Sequence, residues 1–406
     1  MLIEDAPSKR QARRTIAIAG GGIAGLTAAL AFARFGYRVT VFEKQNSAAG
    51  LGAGIQISPN AYRVLDRLDL SRQLNLGAFA PDAIIFGCGR NGKRLNRFDL
   101  GAIIRSRHDA PYLVIHRADL LQVLLNACEE SPEIEIAYSH AVIDATQHAN
   151  GMTLLVRTAN TIEEFQAQAL IGADGVWSDM RKLVPDAAQP EFSGTIAWRA
   201  LVPMEQISKK ISPSSTGLWL GEKAHIVHYP IRGGSIMNVV AVTPWGRESL
   251  PASGWETRES TDLRIKPFEK WHALPQTLVR APVKWGGWPL HSVSSMGPIT
   301  NGPLCLIGDA AHPMLPFAAQ GGASAIEDAY VLASMCSERP DELEDVFEVF
   351  ETTRRKRINK LISLARRNKT IYHLPGAFGE IRDMVLKFTP QERLQKRMDW
   401  IFEWTV

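Results

Sequence analysis

The order of apolar and polar positions predicts alternating strands and helices early in the chain. Thr15–Ala19 is a short apolar run, the pattern of a buried strand, and Leu26–Phe35 is an Ala- and Leu-rich helical stretch that Gly36 stops. Arg38–Phe42 alternates and is β-branched, so it reads as a second strand. Strand, glycine turn, helix and strand within about 30 residues form a βαβ unit, which calls for a parallel sheet. Ile55–Leu70 reads as a helix, and Leu113–Ala127 contains another, with Leu120, Leu121, Leu124 and Leu125 on its apolar face. Met152–Arg157 and Phe165–Ala173 read as strands, the second running into Asp174-Gly175.

The pattern changes between about residues 190 and 290. Seven of the ten tryptophans fall there (Trp198, Trp219, Trp245, Trp255, Trp271, Trp285 and Trp288), among strand-like runs at Gly217–Gly221, Ala224–Tyr229 and Ile236–Val242. A second unit on a mostly antiparallel sheet is expected. A strand signal returns at Leu304–Ile307. From Ser324 onward the chain reads as mainly helical, with breaks at Pro340, Pro375 and Pro390.

Composition narrows the classes. The chain has 406 residues, 45% hydrophobic and 22% charged, with a net charge of +4 and no dense basic tract, which argues against a nucleic-acid partner. The longest apolar run, Thr15–Leu30, is interrupted by Gly20, Gly21, Gly22 and Gly25, so it does not supply the roughly 20-residue helix of an integral membrane segment. Cys88, Cys128, Cys305 and Cys336 are far apart and form no C-x-x-C pair, so no metal site is expected. They read as core thiols of a cytoplasmic protein, since the basic start of the chain (Lys9, Arg10, Arg13, Arg14) leads into no uninterrupted apolar signal segment.

Candidate chemistry begins in the first turn. Gly20-Gly21-Gly22-Ile23-Ala24-Gly25 satisfies G-x-G-x-x-G. The pattern is weak alone, but here it follows a strand and opens a helix. Gly20 then serves the tight turn, Gly22 lets a pyrophosphate approach the backbone, and Gly25 lets helix pack on strand. The helix N-terminus offers unpaired N–H groups to phosphate. Glu43, followed by Lys44, closes the second strand 23 residues after Gly20, where an acid can accept hydrogen bonds from ribose hydroxyls.

Later segments indicate which dinucleotide. His116-Arg117-Ala118-Asp119-Leu120, Ala173-Asp174-Gly175-Val176-Trp177-Ser178 followed by Arg181, Gly308-Asp309-Ala310-Ala311-His312-Pro313, and Ala319-Gln320-Gly321-Gly322-Ala323 through Ala329 occur in that order. Together with the first turn they resemble group A FAD-dependent monooxygenases, most like salicylate hydroxylase and its relatives acting on hydroxybenzoate or hydroxynicotinate. The resemblance implies a Rossmann-like α/β FAD-binding fold with an inserted, mostly antiparallel β substrate domain and C-terminal helices. It also implies FAD as cofactor, NADH or NADPH as transient reductant, and hydroxylation of a small aromatic substrate by O2 through a flavin hydroperoxide. It implies FAD contacts at Gly20, Gly22, Ile23, Ala24, Gly25, Glu43, Lys44, Arg117, Gly308, Asp309, Pro313, Gly321, Gly322 and Ala323, with Asp174 and Arg181 serving the pyridine nucleotide and pyrophosphate region. Taken alone, Asp174-Gly175 is a common turn. No second glycine-rich fingerprint is present for the reductant.

A hydrogen-bonding group beside the ring hydroxyl is expected, because a phenolate is a better nucleophile than a phenol. On Ala224–Pro230, period-2 alternation puts His225, Val227 and Tyr229 on one face and His228 on the other. The His-x-x-x-Tyr spacing is similar to that of the hydroxybenzoate and hydroxynicotinate hydroxylases, which implies that His225 and Tyr229 contact substrate; an ordinary half-buried strand reads the same way. Trp219, Trp198-Arg199 and Phe317 are further wall candidates, although a lone Arg199 also suits a surface ion pair. After Pro313 the chain departs from its relatives. Met314-Leu315-Pro316-Phe317 offers no polar side chain where the family often has His or Gln, which speaks for an apolar pocket or a substrate activated otherwise. Rival readings are hydroxylation or epoxidation of a bulkier ring, or a flavin-binding sensor without turnover.

The basic cluster from Arg354 to Lys369 reads as a solvated helix face, and Trp400, Phe402 and Trp404 as a tail packed on the body. Because the motifs must surround one cofactor, the FAD domain is expected to be discontinuous (1–75, 100–188 and 290–370). The substrate domain would then be 76–99 with 189–289, and the C-terminal helical segment 371–406. A homodimer is compatible with the sequence but not required by it.

Overall fold

The computed structural model describes residues 14–47, 53–149, 151–246 and 265–405, which leaves Lys9, Arg10, Arg13 and Trp255 outside the described residues. A six-stranded sheet organises one half. Its order is Thr300–Asn301, Leu304–Leu306, Ala169–Gly172, Thr15–Ala19, Arg38–Glu43, Ile134–Tyr138. Every pairing is parallel except that of the short edge strand Thr300–Asn301. Ile16, Ala17 and Ile18 are fully buried, as an apolar run covered on both faces should be. The helix Ile23–Arg34 crosses between the first two strands.

The second half is a seven-stranded sheet ordered Gly286–Ser292, Glu191–Pro203, Ile236–Pro244, His225–Ile231, Thr216–Leu220, Ala83–Cys88, Arg94–Asp99. It is antiparallel apart from the pairing of Thr216–Leu220 with Ala83–Cys88. One face carries Trp198, Trp219, Ile226, Val239 and Ala241 into a core closed by Phe268, Trp271 and Leu278. Tyr229 and Ile231, on the other face, join the large core of the first half.

Three expectations need correction. Ile55–Leu70 is not one helix: Gly54–Ile57 is a strand paired with Leu113–His116, and the helix spans Pro59–Arg67, starting where Pro59 suits the first helical turn. Phe165–Ala173 is two strands, Ile162–Ala167 in a separate three-stranded sheet and Ala169–Gly172 in the parallel sheet. Arg354 and Arg357 are not on a solvated face. They lie on the helix Leu343–Tyr372 and reach the buried Glu327 and Asp328 of the helix Gly321–Glu338, at 2.7 Å for both Arg354 bonds. Trp400 and Trp404 stack over the same arginines, and the tail packs on the body. All four cysteines are buried and unpaired. No helix among the described residues is long and apolar enough to cross a membrane.

Candidate active site

Four loops meet at the carboxyl ends of the parallel strands, the edge where open α/β sheets bind ligands. Gly20 has φ of 108°, and a Cβ there would press on the backbone of Ala173-Asp174, so the first turn and the Asp-Gly segment touch. A Cβ on Gly25 would overlap the Gly20 carbonyl, whereas one on Gly22 would meet nothing within 4 Å. Open space at Gly22, before a helix whose first N–H groups have no side-chain cap, is a phosphate cradle. Glu43 accepts from Gly21 N at 2.7 Å and from Gln45 N at 2.8 Å, which fixes its carboxylate beside the turn. Lys44 is exposed.

The Gly-Asp segment closes the same site. Gly308 lies against Ala24 and Ala325. The Asp309 side chain is exposed, yet the surrounding protein raises its pKa, with His312, Arg117 and Arg181 acting in the opposite direction. Both hold for a carboxylate facing a deep cleft, where it can accept hydroxyl donors from a ligand. Behind it, His312 Nε2 lies 2.6 Å from Asp328 Oδ2. Burial pushes the Asp328 carboxyl up, but His312, Arg354 and the hydrogen bonds from His312 and Gly308 outweigh it and hold the pKa at about 2. Asp174 Oδ2 accepts from Asp179 N and Met180 N, and its Oδ1 is buried without a partner, an acceptor left for a ligand. Open Gly22, cleft-facing Asp309 and orphaned Asp174 Oδ1 fit a dinucleotide rich in phosphate and hydroxyl groups.

The residues matched by the "FAD binding domain" family model are 13–364. The chain belongs to this family. It is 31% identical over 394 residues to 3-hydroxybenzoate 6-hydroxylase of Polaromonas naphthalenivorans (strain CJ2), covering 96% of both chains. It is 30% identical over 361 residues to 6-hydroxynicotinate 3-monooxygenase of Pseudomonas fluorescens, covering 87% of this chain and 90% of that one. Among solved structures it is similar to a salicylate hydroxylase substrate complex, with a TM-score of 0.81 and 25% identity over 97% of this chain and 96% of the other. The protein is an FAD-dependent monooxygenase.

Within this monooxygenase, the sheet face turned toward the FAD motifs carries His225, Val227 and Tyr229, beside Asn238, Val240 and Val242, and Arg199 on the next strand. Tyr229 packs on the backbone of Gly54, whose N–H donates to Asn238 Oδ1 at 2.7 Å. Burial raises the Tyr229 pKa and Arg199 opposes it, so the phenol stays protonated. Phe317 lies 5.0 Å from the His225 ring, centroid to centroid. Gly322 packs on Ile55 at the start of Gly321–Glu338, so Gly321, Gly322 and Ala323 reach the same space as Gly54.

Two sequence expectations fail here. Trp219 does not line this face. It pairs with Ile226 on the opposite side, and its Nε1 donates to His228 Nε2 at 3.2 Å, because odd and even positions of a strand face opposite ways. Arg181 is 3% exposed and donates to the carbonyls of Val176, Asp309 and Ala310, so its guanidinium is taken up in pinning the two Asp-bearing loops together.

Arg199 resolves against the surface ion pair. Its guanidinium lies 5.3 Å from the Trp288 ring, its Nε is buried without a partner, and it lines a cleft of about 500 Å³ with Ala53 and Lys284. Asn238 Nδ2 is likewise buried and unpartnered. Asn238 had a signal in the sequence, as the lone polar residue of Ile236–Val242. His373, which meets His225, had none, since the contact depends on where the helix Leu343–Tyr372 ends.

Proposed function

We propose that the protein hydroxylates a monocyclic aromatic acid of the hydroxybenzoate type, with NADH or NADPH as reductant and O2 as oxygen source. The observation that carries this reading is Arg199, a cation whose buried Nε has no partner among the described residues and which lies close enough to Tyr229 to oppose the rise of its pKa. A planar guanidinium with open donors suits a substrate carboxylate. Asn238 Nδ2 offers a further donor on the same face. His225 and Tyr229 are four residues apart, about 13 Å along an extended strand, so side chains leaning inward from both can bracket a single ring. When bound, FAD supplies the activated oxygen. Arg199 and Tyr229 would hold the acid end of the substrate, Phe317 would exclude water, and His225 would accept the ring hydroxyl proton. The relatives named for hydroxybenzoate and hydroxynicotinate support the same substrate class. The compartment we propose is the reducing cytoplasm, which suits four buried unpaired thiols.

The test is a NADH and NADPH oxidation assay of the yellow protein with 3-hydroxybenzoate, salicylate, 6-hydroxynicotinate and phenol, with product analysis. The acids should accelerate turnover and phenol should not. In Arg199→Met, KM for the acid should rise about 10- to 100-fold, the loss of one or two charge-assisted hydrogen bonds. Equal acceleration by phenol and the acids in the native protein would remove Arg199 from substrate recognition.

A further inference from the structure

His225 has a partner that the loop after Pro313 does not provide. Its Nδ1 lies 2.8 Å from Nε2 of His373, which follows directly on the helix Leu343–Tyr372. Among the described residues His225 Nε2 has no hydrogen-bond partner. Phe317 and Tyr372 enclose the pair, with ring centroids 5.0 and 5.6 Å from that of His225. Tyr372 Oη and Asn368 Nδ2 both donate to the Phe317 carbonyl, so the helix end and the loop hold each other in place. His373 is only partly buried. It lines a separate surface cleft of about 570 Å³ with Glu191, Arg366 and Lys369.

We infer that His225 and His373 form a two-ring proton path from the substrate hydroxyl to this second cleft. Neutral His225 carries its proton on Nδ1 and donates it to His373 Nε2. As the substrate O–H bond breaks, its proton bonds to His225 Nε2, the Nδ1 proton passes to His373 Nε2, and His373 releases its Nδ1 proton to water in the cleft. Charge balances: the substrate becomes a phenolate, both rings end neutral with their tautomers exchanged, and one proton reaches solvent. The reverse hops reprotonate the hydroxyl and reset the tautomers.

A path of this kind needs rings that pass protons on without storing them. Burial, Lys369 and Arg382 hold the His373 pKa at about 4, and burial and His373 hold that of His225 well below its ordinary value. The charged groups around the pair are Lys369 and Arg366 on its own helix, Arg382 on the next helix, and Glu191 lining the same cleft, with Tyr372 packed on His225. His373 is thus a positioning and relay residue acting through His225. It stands in for the polar side chain missing at Phe317.

The inference rests on the hydroxybenzoate reading, and the experiment separates the two. Oxidised FAD-loaded protein is mixed with 3-hydroxybenzoate or salicylate in a weakly buffered indicator dye, and proton release and ultraviolet phenolate absorbance are followed by stopped flow. In His373→Gln and His373→Ala, binding affinity should stay within about twofold while proton release slows tenfold or more, the scale of a lost general-base partner. Added imidazole should restore the rate in His373→Ala. FAD content and circular dichroism check that both variants fold. Native rates in both variants, or slow release that imidazole leaves unchanged, overturn the path while the substrate reading stands. If the native protein neither binds these acids nor releases a proton, the substrate reading fails and the path falls with it.

Discussion

Gly22 and Gly25 are three residues apart in one turn, yet an added methyl group should affect them differently. At Gly25 it would collide with the Gly20 carbonyl, a rigid backbone atom, so Gly25→Ala should lower the yield of folded protein. At Gly22 it would meet no protein atom, so Gly22→Ala should fold normally and bind FAD more weakly. Circular dichroism with an FAD titration separates the two, and weak folding of both variants would contradict the open cradle. Tyr229→Phe removes a buried hydroxyl near Arg199 and Gly54 and keeps the ring. It should raise KM for the aromatic acid without changing the melting temperature by more than a few degrees. The glycines and Asp309 were legible in the sequence because a turn between strand and helix restricts which residues can stand there. The partners of Arg199 and His373 were not, because they are set by which strands and helices become neighbours.

At the scale of elements, the helix Leu343–Tyr372 looks basic and solvated in sequence and is buried in part. Arg354 is 2% exposed and bonds both Glu327 and Asp328. Arg354→Leu would leave two carboxylates in the interior with one cation fewer, at a cost of about 3–5 kcal/mol, measurable by chemical denaturation. The substrate-facing sheet makes a pH prediction. Burial lowers the pKa of His228 to about 4, and His225 and His373 are also depressed. The unfolded chain therefore takes up protons that the folded chain refuses. This stability is complete above the ordinary histidine value of 6.5 and is lost as pH falls toward 4. The melting temperature should fall between about pH 7 and pH 5, and fall less in His228→Gln. A pH-independent melting temperature over that window would mean that these rings are not buried neutral.

At the scale of the whole molecule, the tail links elements far apart in the chain. Arg63 donates to the Trp404 carbonyl at 2.6 Å, and Arg357 donates to the carbonyls of Trp400 and Ile401 while bonding Glu327. Glu327 sits between one and two turns into the helix whose first residues pack on Ile55 and Gly308. Removing residues 391–406 should lower the melting temperature and loosen FAD together, read as flavin fluorescence released on heating. Loss of thermal stability with FAD retained as in the full chain would limit the tail to packing.

The sequence by itself determined the cofactor and the candidate residues for its site. A Gly-rich turn, an acid closing the next strand and two Asp-bearing loops are local solutions to local problems, and each needs particular residue types at fixed spacing. Alternation on His225–Ile231 likewise put His225 and Tyr229 on one face, because strand geometry has a period of two. Tertiary structure decided what period and spacing leave open. It turned Trp219 into the opposite core, committed Arg181 to backbone carbonyls, left Arg199 without an acid, and ended a 30-residue helix beside His225. The physical reason is sequence distance: Arg199, His225 and His373 come from strands and a helix up to 174 residues apart, and only packing sets which of their side chains meet.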